Sequence, residues 1–370
     1  MKQVDFHERM MLRALALARR GAGKTSPNPA VGCVIVRDGA IVGQGGHRKA
    51  GTPHAEVHAL RQAGERARGA DVYVTLEPCS HFGKTPPCAD ALIAAGVASV
   101  FVGMIDPNPK VSGRGVAKLE DAGITVLSGM CEDQCREINL PFIRHVTSGM
   151  PFVTMKSAMT LDGKTATSNG DSKWISSEAS RRLVHRLRSR ADAVMTGIGT
   201  LLADDPQLTV RMVKGKQPLR VVIDPRLETP VDCALMEDAS AIPVIIATAS
   251  SDDSKSALLA AKGAEVLTCR DAGGRVDLKG LLRLLGSRGI QSILLEAGER
   301  LCGEMQRLGL IDRYILFIAP KLLGGEGKGL FAGTAVDWMQ DAARVTIRKV
   351  ARSGGDMLVI AVPEDTCLQV

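Results

Sequence analysis

The sequence predicts a chain of two different α/β units. Three observations carry this. At 370 residues the chain exceeds the about 150 residues that one domain usually fills. Short β-rich apolar runs alternate with amphipathic helical stretches from one end to the other. The segment "HVTSGMP" (His145–Pro151) separates two halves that share no repeat, so residues 1–146 and 151–366 are expected to be distinct domains.

The first half opens with "DFHERMMLRALALA", apolar at helical spacing, and continues into "AVGCVIVRDGAIVGQGGH", a hairpin turning at Asp38-Gly39. A helix over His54–Arg66, a strand "DVYVTLEP" and a helix after Pro87 that stops at Gly96 follow. The strand "SVFVGMID" and the helix–strand step "GVAKLEDAGITVL" complete the α/β pattern. In the second half "FVTMKSAM", "AVMTGIG", "LRVVID", "PVIIATA", "SILLEAG" and "YILFIAP" read as strands. Between them "SEASRRLVHRLRSR" and "LKGLLRLLGSRG" read as helices.

Composition narrows the function. Hydrophobic residues make up 45% and charged residues 24%, as in globular proteins. No run of about 18 apolar residues suggests a membrane span, and the N-terminus lacks a signal peptide's apolar block. A cytoplasmic protein is expected. The net charge of +7 is spread evenly: residues 1–146 hold 18 Lys+Arg against 14 Asp+Glu, and the remainder 29 against 26. With two Trp, two Tyr and seven Phe there are few stacking platforms for a single strand, which speaks against nucleic acid. A phosphorylated small molecule accounts for the mild basic bias equally well.

Nine scattered cysteines, an odd number, fit a reducing compartment better than a disulfide framework. Cys79 and Cys88 stand out in "PCSHFGKTPPC", and upstream "HAEVHAL" places Glu56 two residues after His54. His nitrogen and two Cys sulfurs are the three protein ligands that a catalytic zinc takes, with the fourth position left for water. Glu56 is then free to move protons, as in the H-x-E…P-C-x-x-C deaminases of nucleobases. The eight residues between the cysteines depart from that signature. Cys88 opens a helix behind Pro86-Pro87, where proline is favoured and thiolate is stabilised. A structural zinc would need a fourth ligand, for which His58 is the candidate.

Four segments, "SPNPAVGCVIV", "GGHRKAGTPHAE", "TLEPCSHFGKTPPC" and "DPNPKVSGRG", resemble the deaminase half of the bifunctional riboflavin-biosynthesis deaminase/reductases. "MKSAMTLDGKTA", "ADDPQLTVR" and "LLEAGERL" resemble the reductase half. The wide cysteine spacing is that family's own. The resemblance implies a cytidine-deaminase-like α/β/α sandwich followed by a dihydrofolate-reductase-like α/β domain. It also implies deamination of 2,5-diamino-6-ribosylamino-4(3H)-pyrimidinone 5′-phosphate with one zinc on His54, Cys79 and Cys88 and Glu56 as the proton carrier. Asn28, His47, His81 and Lys84 match positions that hold pyrimidine and phosphate, with Asp106 and Asn108 as weaker candidates that also suit plain turn formation.

The second half lacks a G-x-G-x-x-G fingerprint, since Gly197 and Gly199 have no third glycine in frame. The family resemblance implies NADPH bound without that motif, and reduction of the product's ribosyl group to ribityl. Matching positions put Ala158, Trp174, Thr200, Asp204 and Gly298 at the cofactor. Ser172, Arg188, Leu208, Arg211 and Glu296 would line the substrate site, Lys156 would reach the ribityl chain, and Asp204 would handle the imine proton. Arg188 suits phosphate through its planar fork, although the arginines of "RRLVHRLRSR" equally suit a solvated helix face. The family also implies a homo-oligomer, a dimer or tetramer, built through the reductase half. Two alternatives stay open from residues alone: an RNA-editing deaminase, and a second domain that only senses nucleotide or dimerises.

Overall fold

A computed structural model describes residues 5–81, 86–109, 111–333 and 336–364. The chain divides into two compact units, Met1–Gly149 and Met150–Val370.

In the first unit the Asp5 carboxylate accepts from the Phe6 amide and starts α1 (Phe6–Gly21). β1 (Gly32–Arg37) and β2 (Ala40–Gly46) form the hairpin, with Arg37 opposite Ala40. Asp38 and Gly39 both take positive φ, 51° and 76°, as the two-residue turn requires. Then come α2 (Ala55–Ala63), β3 (Asp71–Val74), α3 (Cys88–Ala95), β4 (Ser99–Val102), α4 (Arg114–Asp121), β5 (Thr125–Ser128) and α5 (Glu132–Ser148). The strands among the described residues form a sheet in the order β2-β1-β3-β4-β5, antiparallel on either side of β1 and parallel from β3 onward. One face packs Val72, Val74, Val100 and Val102 against Ala59, Leu92 and Leu119 of α2, α3 and α4. The alternate residues Tyr73 and Phe101 face α1, where His7 lies 4.6 Å from the Phe101 ring. The result is an α/β/α sandwich. α5 has no counterpart in the sequence reading, and its last turn absorbs His145–Ser148, half of the expected boundary segment. Gly149, left-handed at φ 71°, closes that helix.

The second unit runs β6 (Phe152–Thr160), α6 (Glu178–Arg190), β7 (Ala193–Gly197), α7 (Ile198–Asp204), β8 (Leu219–Ile223), β9 (Val244–Thr248), α8 (Asp253–Ala261) and β10 (Ala264–Thr268). It continues with α9 (Leu278–Ser287), β11 (Ser292–Leu295), α10 (Glu299–Arg307), β12 (Arg313–Ala319), β13 (Val345–Ser353) and β14 (Asp356–Pro363). Among the described residues the strand order is β10-β9-β8-β7-β11-β6-β12-β14-β13. β6 to β12 are parallel, and the β13–β14 hairpin adds antiparallel to β12. The chain steps outward from β7 to β10, then returns to insert β11 between β7 and β6. The strand order reverses beside β7, and α/β sheets bind ligands at the carboxyl ends of strands at such a reversal. The parallel strands are buried on both faces, which explains their continuous Val/Ile/Leu runs.

Candidate active sites

In the first unit two of the three ligand residues come from helix starts, and Cys79 follows β3. His54 is the residue before α2, and Cys88 is the first residue of α3. α2 reaches its place because β2 offers it glycines. A Cβ on Gly45 would lie 2.2 Å from the Ala55 carbonyl oxygen, and one on Gly43 would lie 2.2 Å from that of Ala59. The helix backbone thus rests directly on the strand, a contact only glycine allows. The "GQGG" run was the available signal, and the hairpin reading left it unexplained.

The Cys88 amide donates to Cys79 Sγ at 3.3 Å, and the Ala89 amide to the Cys79 carbonyl at 3.1 Å. His54 Nδ1 lies 3.2 Å from Cys88 Sγ and 3.6 Å from Cys79 Sγ. All three ligand atoms fall within 4.8 Å of one another, the one such group among the described residues. His58 is not part of it, so a four-ligand structural site lacks its fourth residue. The hydrogen bond from Cys88, against burial and together with that from His54, lowers the pKa of the Cys79 thiol, which favours the thiolate that a metal binds. Cys88 is displaced upward by that same hydrogen bond, by burial and by the Glu56 charge. One nitrogen and two sulfurs gathered within 4.8 Å of one another are the donor set of a catalytic zinc.

Glu56 stands beside this group, 3% exposed, and its Oε2 has no hydrogen-bond partner among the described residues. Burial and then the Cys79 charge raise its pKa. A buried, unpaired carboxylate oxygen is costly unless a ligand or a proton completes it.

His47 is buried, with Nδ1 3.2 Å from the Pro53 carbonyl and Nε2 3.2 Å from Asn28 Nδ2. The carbonyl can only accept, so Nδ1 carries the hydrogen and Nε2 accepts from the Asn28 amide. Burial lowers the pKa of this ring and keeps it neutral. Two expected substrate residues, Asn28 and His47, are therefore bonded to each other, and His47 lies 5.4 Å from the His54 ring. His81 is exposed at the end of a described stretch, and Lys84 falls outside the described residues. Asp106 is buried and accepts from the Asn108 amide at 2.9 Å, the turn its sequence suggested. Sequence reasoning missed Glu77, a buried acid whose carboxylate binds the amides of Asp106, Gly113, Gly115 and Val116. An acid ending an apolar strand just before Pro-Cys was the available sign.

In the second unit Glu296 follows β11 and gathers two cations. Lys156 Nζ from β6 lies 2.8 Å from its Oε2, and Arg188 Nε from α6 lies 2.6 Å from its Oε1. Burial would raise the Glu296 carboxyl, but Arg188 and Lys156 overcome it and hold it well below the usual carboxylate range. Arg211 lies near enough for the Arg188 and Glu296 charges to act on it, and its amide donates to His185 Nδ1 at 3.3 Å. Leu208 is reached by a left-handed turn (φ 56°), and its side chain is in the core, so only its backbone is available to a ligand.

Thr200 Oγ1 accepts from the Gly298 amide at 2.9 Å, joining α7 to the residue that caps α10. Gly298 supplies no side-chain acceptor to the first turn of α10, and a helix start of this kind suits a phosphate group. That fits a dinucleotide. Trp174 is 61% exposed beneath Arg181, whose guanidinium carbon lies 4.6 Å from the ring. Lys173 Nζ lies 4.0 Å from an Asp204 oxygen. Ala158 packs with Phe317 and Val184, and Ser172 accepts from the Ile175 amide. The structure thus brings Lys156, Arg188, Glu296 and Arg211 together and pairs Thr200 with Gly298.

Residues 151–359 match the model of the RibD C-terminal domain, and residues 4–104 that of the cytidine and deoxycytidylate deaminase zinc-binding region. The riboflavin biosynthesis protein RibD of Aquifex aeolicus is 44% identical over 96% of this chain and 98% of its own length. The Escherichia coli protein of that name is 43% identical over 95% and 97%. RibD of Acinetobacter baumannii superposes with a TM-score of 0.88 at 40% identity, covering 98% of this chain and 100% of its own. The Thermotoga maritima diaminohydroxyphosphoribosylaminopyrimidine deaminase/5-amino-6-(5-phosphoribosylamino)uracil reductase gives 0.86 at 37% identity, covering 97% and 99%. With the zinc triad in one unit and the reductase fold in the other, the chain belongs to the RibD family of riboflavin biosynthesis and is an enzyme with both activities, using zinc for deamination and NADPH for reduction.

Proposed function

We propose that residues 1–146 deaminate 2,5-diamino-6-ribosylamino-4(3H)-pyrimidinone 5′-phosphate, and that residues 151–366 reduce the ribosyl group of the resulting 5-amino-6-(5-phosphoribosylamino)uracil to ribityl. The observation that carries the first step is the convergence of His54, Cys79 and Cys88 beside Glu56, whose buried Oε2 has no partner among the described residues. Zinc held by that triad supplies a Lewis acid that makes water nucleophilic near neutral pH. Glu56 takes the proton of the attacking water and delivers it to the departing amine. Its raised pKa suits both directions of that transfer. Asn28 and His47 orient the pyrimidine, with His81, Lys84, Asp106 and Asn108 completing the pocket.

NADPH supplies the reducing equivalents of the second step. Ala158, Trp174, Thr200, Asp204 and Gly298 hold it, and Asp204 gives the imine proton. Lys156, Ser172, Arg188, Leu208, Arg211 and Glu296 hold the substrate. The two cations on Glu296, with Arg211 beside them, leave the cluster net positive, in keeping with a phosphorylated ligand. We further propose a cytoplasmic homo-oligomer, a dimer or tetramer. β13 is the edge of the sheet and exposes Val345, Ile347 and Val350, a surface that a second copy would cover. No helix among the described residues is long and apolar enough to cross a membrane.

The test is to supply the ribosylamino pyrimidine phosphate with and without NADPH. Ammonia should appear in both cases, and NADPH should be oxidised only after it. NADPH oxidation without prior ammonia release would overturn the order of steps.

A further inference from the structure

Glu77 joins two segments of the deaminase unit that the chain keeps far apart. It stands two positions before Cys79, with Pro78 between, and is 3% exposed. Oε2 accepts from the amides of Asp106 and Gly113, both at 3.0 Å, and Oε1 from those of Gly115 at 2.7 Å and Val116 at 3.3 Å. A buried carboxylate persists when charge-assisted bonds of this kind replace its water. Gly113, Gly115 and Val116 form the start of α4, whose free amides and dipole favour a negative charge. The approach is close. A Cβ on Gly115 would lie 2.0 Å from the Pro78 carbonyl oxygen and 3.1 Å from Glu77 Oε1. The Glu77 amide donates to the Met104 carbonyl at 2.9 Å, so the residue is fixed at both its backbone and its side chain.

A helix staple alone would need only the α4 amides. Glu77 also takes the amide of Asp106, and the Asp106 side chain in turn fixes the Asn108 amide at 2.9 Å. One carboxylate thus sets the spacing between the strand end that carries Cys79 and the segment that carries Asp106 and Asn108. We propose that Glu77 is a positioning residue for deamination, coupling the metal side of the site to the Asp106–Asn108 segment. The proposal rests on the zinc-deaminase reading above.

The test uses the full chain, zinc-loaded and zinc-stripped, as wild type, Glu77→Gln and Glu77→Asp. Amide hydrogen exchange over residues 104–117 is followed by mass spectrometry, alongside deaminase KM and kcat. The far-UV circular dichroism and its thermal unfolding serve as the folding control. In the wild type, zinc should slow exchange in this segment by about tenfold. Glu77→Gln presents an NH₂ to backbone donors, so it should lose that protection and raise KM about tenfold, with kcat changed less than about threefold. Glu77→Asp keeps both oxygens and should recover part of each effect. Equal zinc-dependent protection in wild type and Glu77→Gln would overturn the coupling, as would lost protection with KM unmoved. If Glu77→Gln does not fold, Glu77→Asp carries both readouts. If the wild type releases no ammonia, the deaminase reading fails on that ground, and the exchange arm still decides whether Glu77 links the metal side to this segment.

Discussion

Arg188 and Glu296 form a two-pronged ion pair, with Nε 2.6 Å from Oε1 and Nη2 3.1 Å from Oε2. The remaining edge of the guanidinium donates to the Thr209 carbonyl at 3.0 Å. Arg188 is therefore committed on both edges, and it adds to the net positive charge of the cluster together with Lys156 and Arg211. Its side chain is 11% exposed and that of Glu296 is 7%, so Arg188→Met leaves the buried Glu296 with Lys156, 2.8 Å away, as its one remaining ion-pair partner among the described residues. Arg188→Met should destabilise the reductase unit by about 1–3 kcal/mol, and Arg188→Lys by less, because it keeps charge and loses the fork. Both tryptophans, Trp174 and Trp338, lie in this unit, so urea unfolding followed by Trp fluorescence reports on it selectively. A loss below about 1 kcal/mol for Arg188→Met would show that the pair is in effect solvated.

His185 gives the same unit a pH dependence. It is 5% exposed on α6. Burial first, then Arg188 and Arg211, lower its pKa to about 4. The folded state thus resists a proton that the unfolded chain takes up near pH ~6.5. For a depressed folded pKa the stabilisation is full above the unfolded value and is lost as pH falls toward the folded one. The midpoint of thermal unfolding should fall by several degrees between pH ~7 and ~4.5. Glu296 acts with the same sign only below the ordinary carboxylate range, at pH under ~4.3. His185→Gln should flatten the upper part of the curve and leave the lower part. An unchanged slope between pH ~6.5 and ~4.5 would remove His185 as its source.

The fold was largely legible because its signals are local. Asp38-Gly39 dictates a turn, Ser177 starts α6, and Gly96 ends α3. The metal triad was legible for a different reason: few jobs other than zinc bring one His and two Cys to strand and helix ends. The features that escaped depend on distant partners. Glu77 reads as one acid among many until Gly113 and Gly115 meet it. Likewise the Asp356 carboxylate accepts from the Ser177 amide at 2.8 Å and the Ser180 hydroxyl at 2.6 Å, fastening α6 to the β13–β14 turn. α5 escaped because Pro141 lies inside it, a residue that argues against a helix when read locally.

The glycines under α2 make a direct test of how the first unit positions its chemistry. In Gly45→Ala the new methyl would lie 2.2 Å from the Ala55 oxygen and 2.6 Å from His58 Cβ, and a backbone neighbour cannot swing aside. α2 must then move outward and carry His54 and Glu56 with it. The expected cost is about 2 kcal/mol of stability, with faster loss of zinc to a chelator than from wild type. Zinc release at the wild-type rate would mean that α2 adjusts without disturbing His54.

Glu56→Gln separates chemistry from structure. The carboxylate is fully enclosed, and its Oε2 finds no partner among the described residues, so a neutral isostere removes an unfavourable buried charge. Stability should hold or rise. The ligand atoms of His54, Cys79 and Cys88 are untouched, so zinc content should stay at the wild-type level. What the amide cannot do is take a proton from water and return it to the amine. Deamination should fall by about 10²–10⁴-fold, the usual worth of a general acid–base residue. NADPH oxidation on the supplied deaminated product should continue at the wild-type rate. Ammonia release, metal analysis and NADPH absorbance on one preparation read all three quantities. If ammonia release persists at the wild-type rate with zinc retained, another group moves the proton and Glu56 is a wall of the pocket.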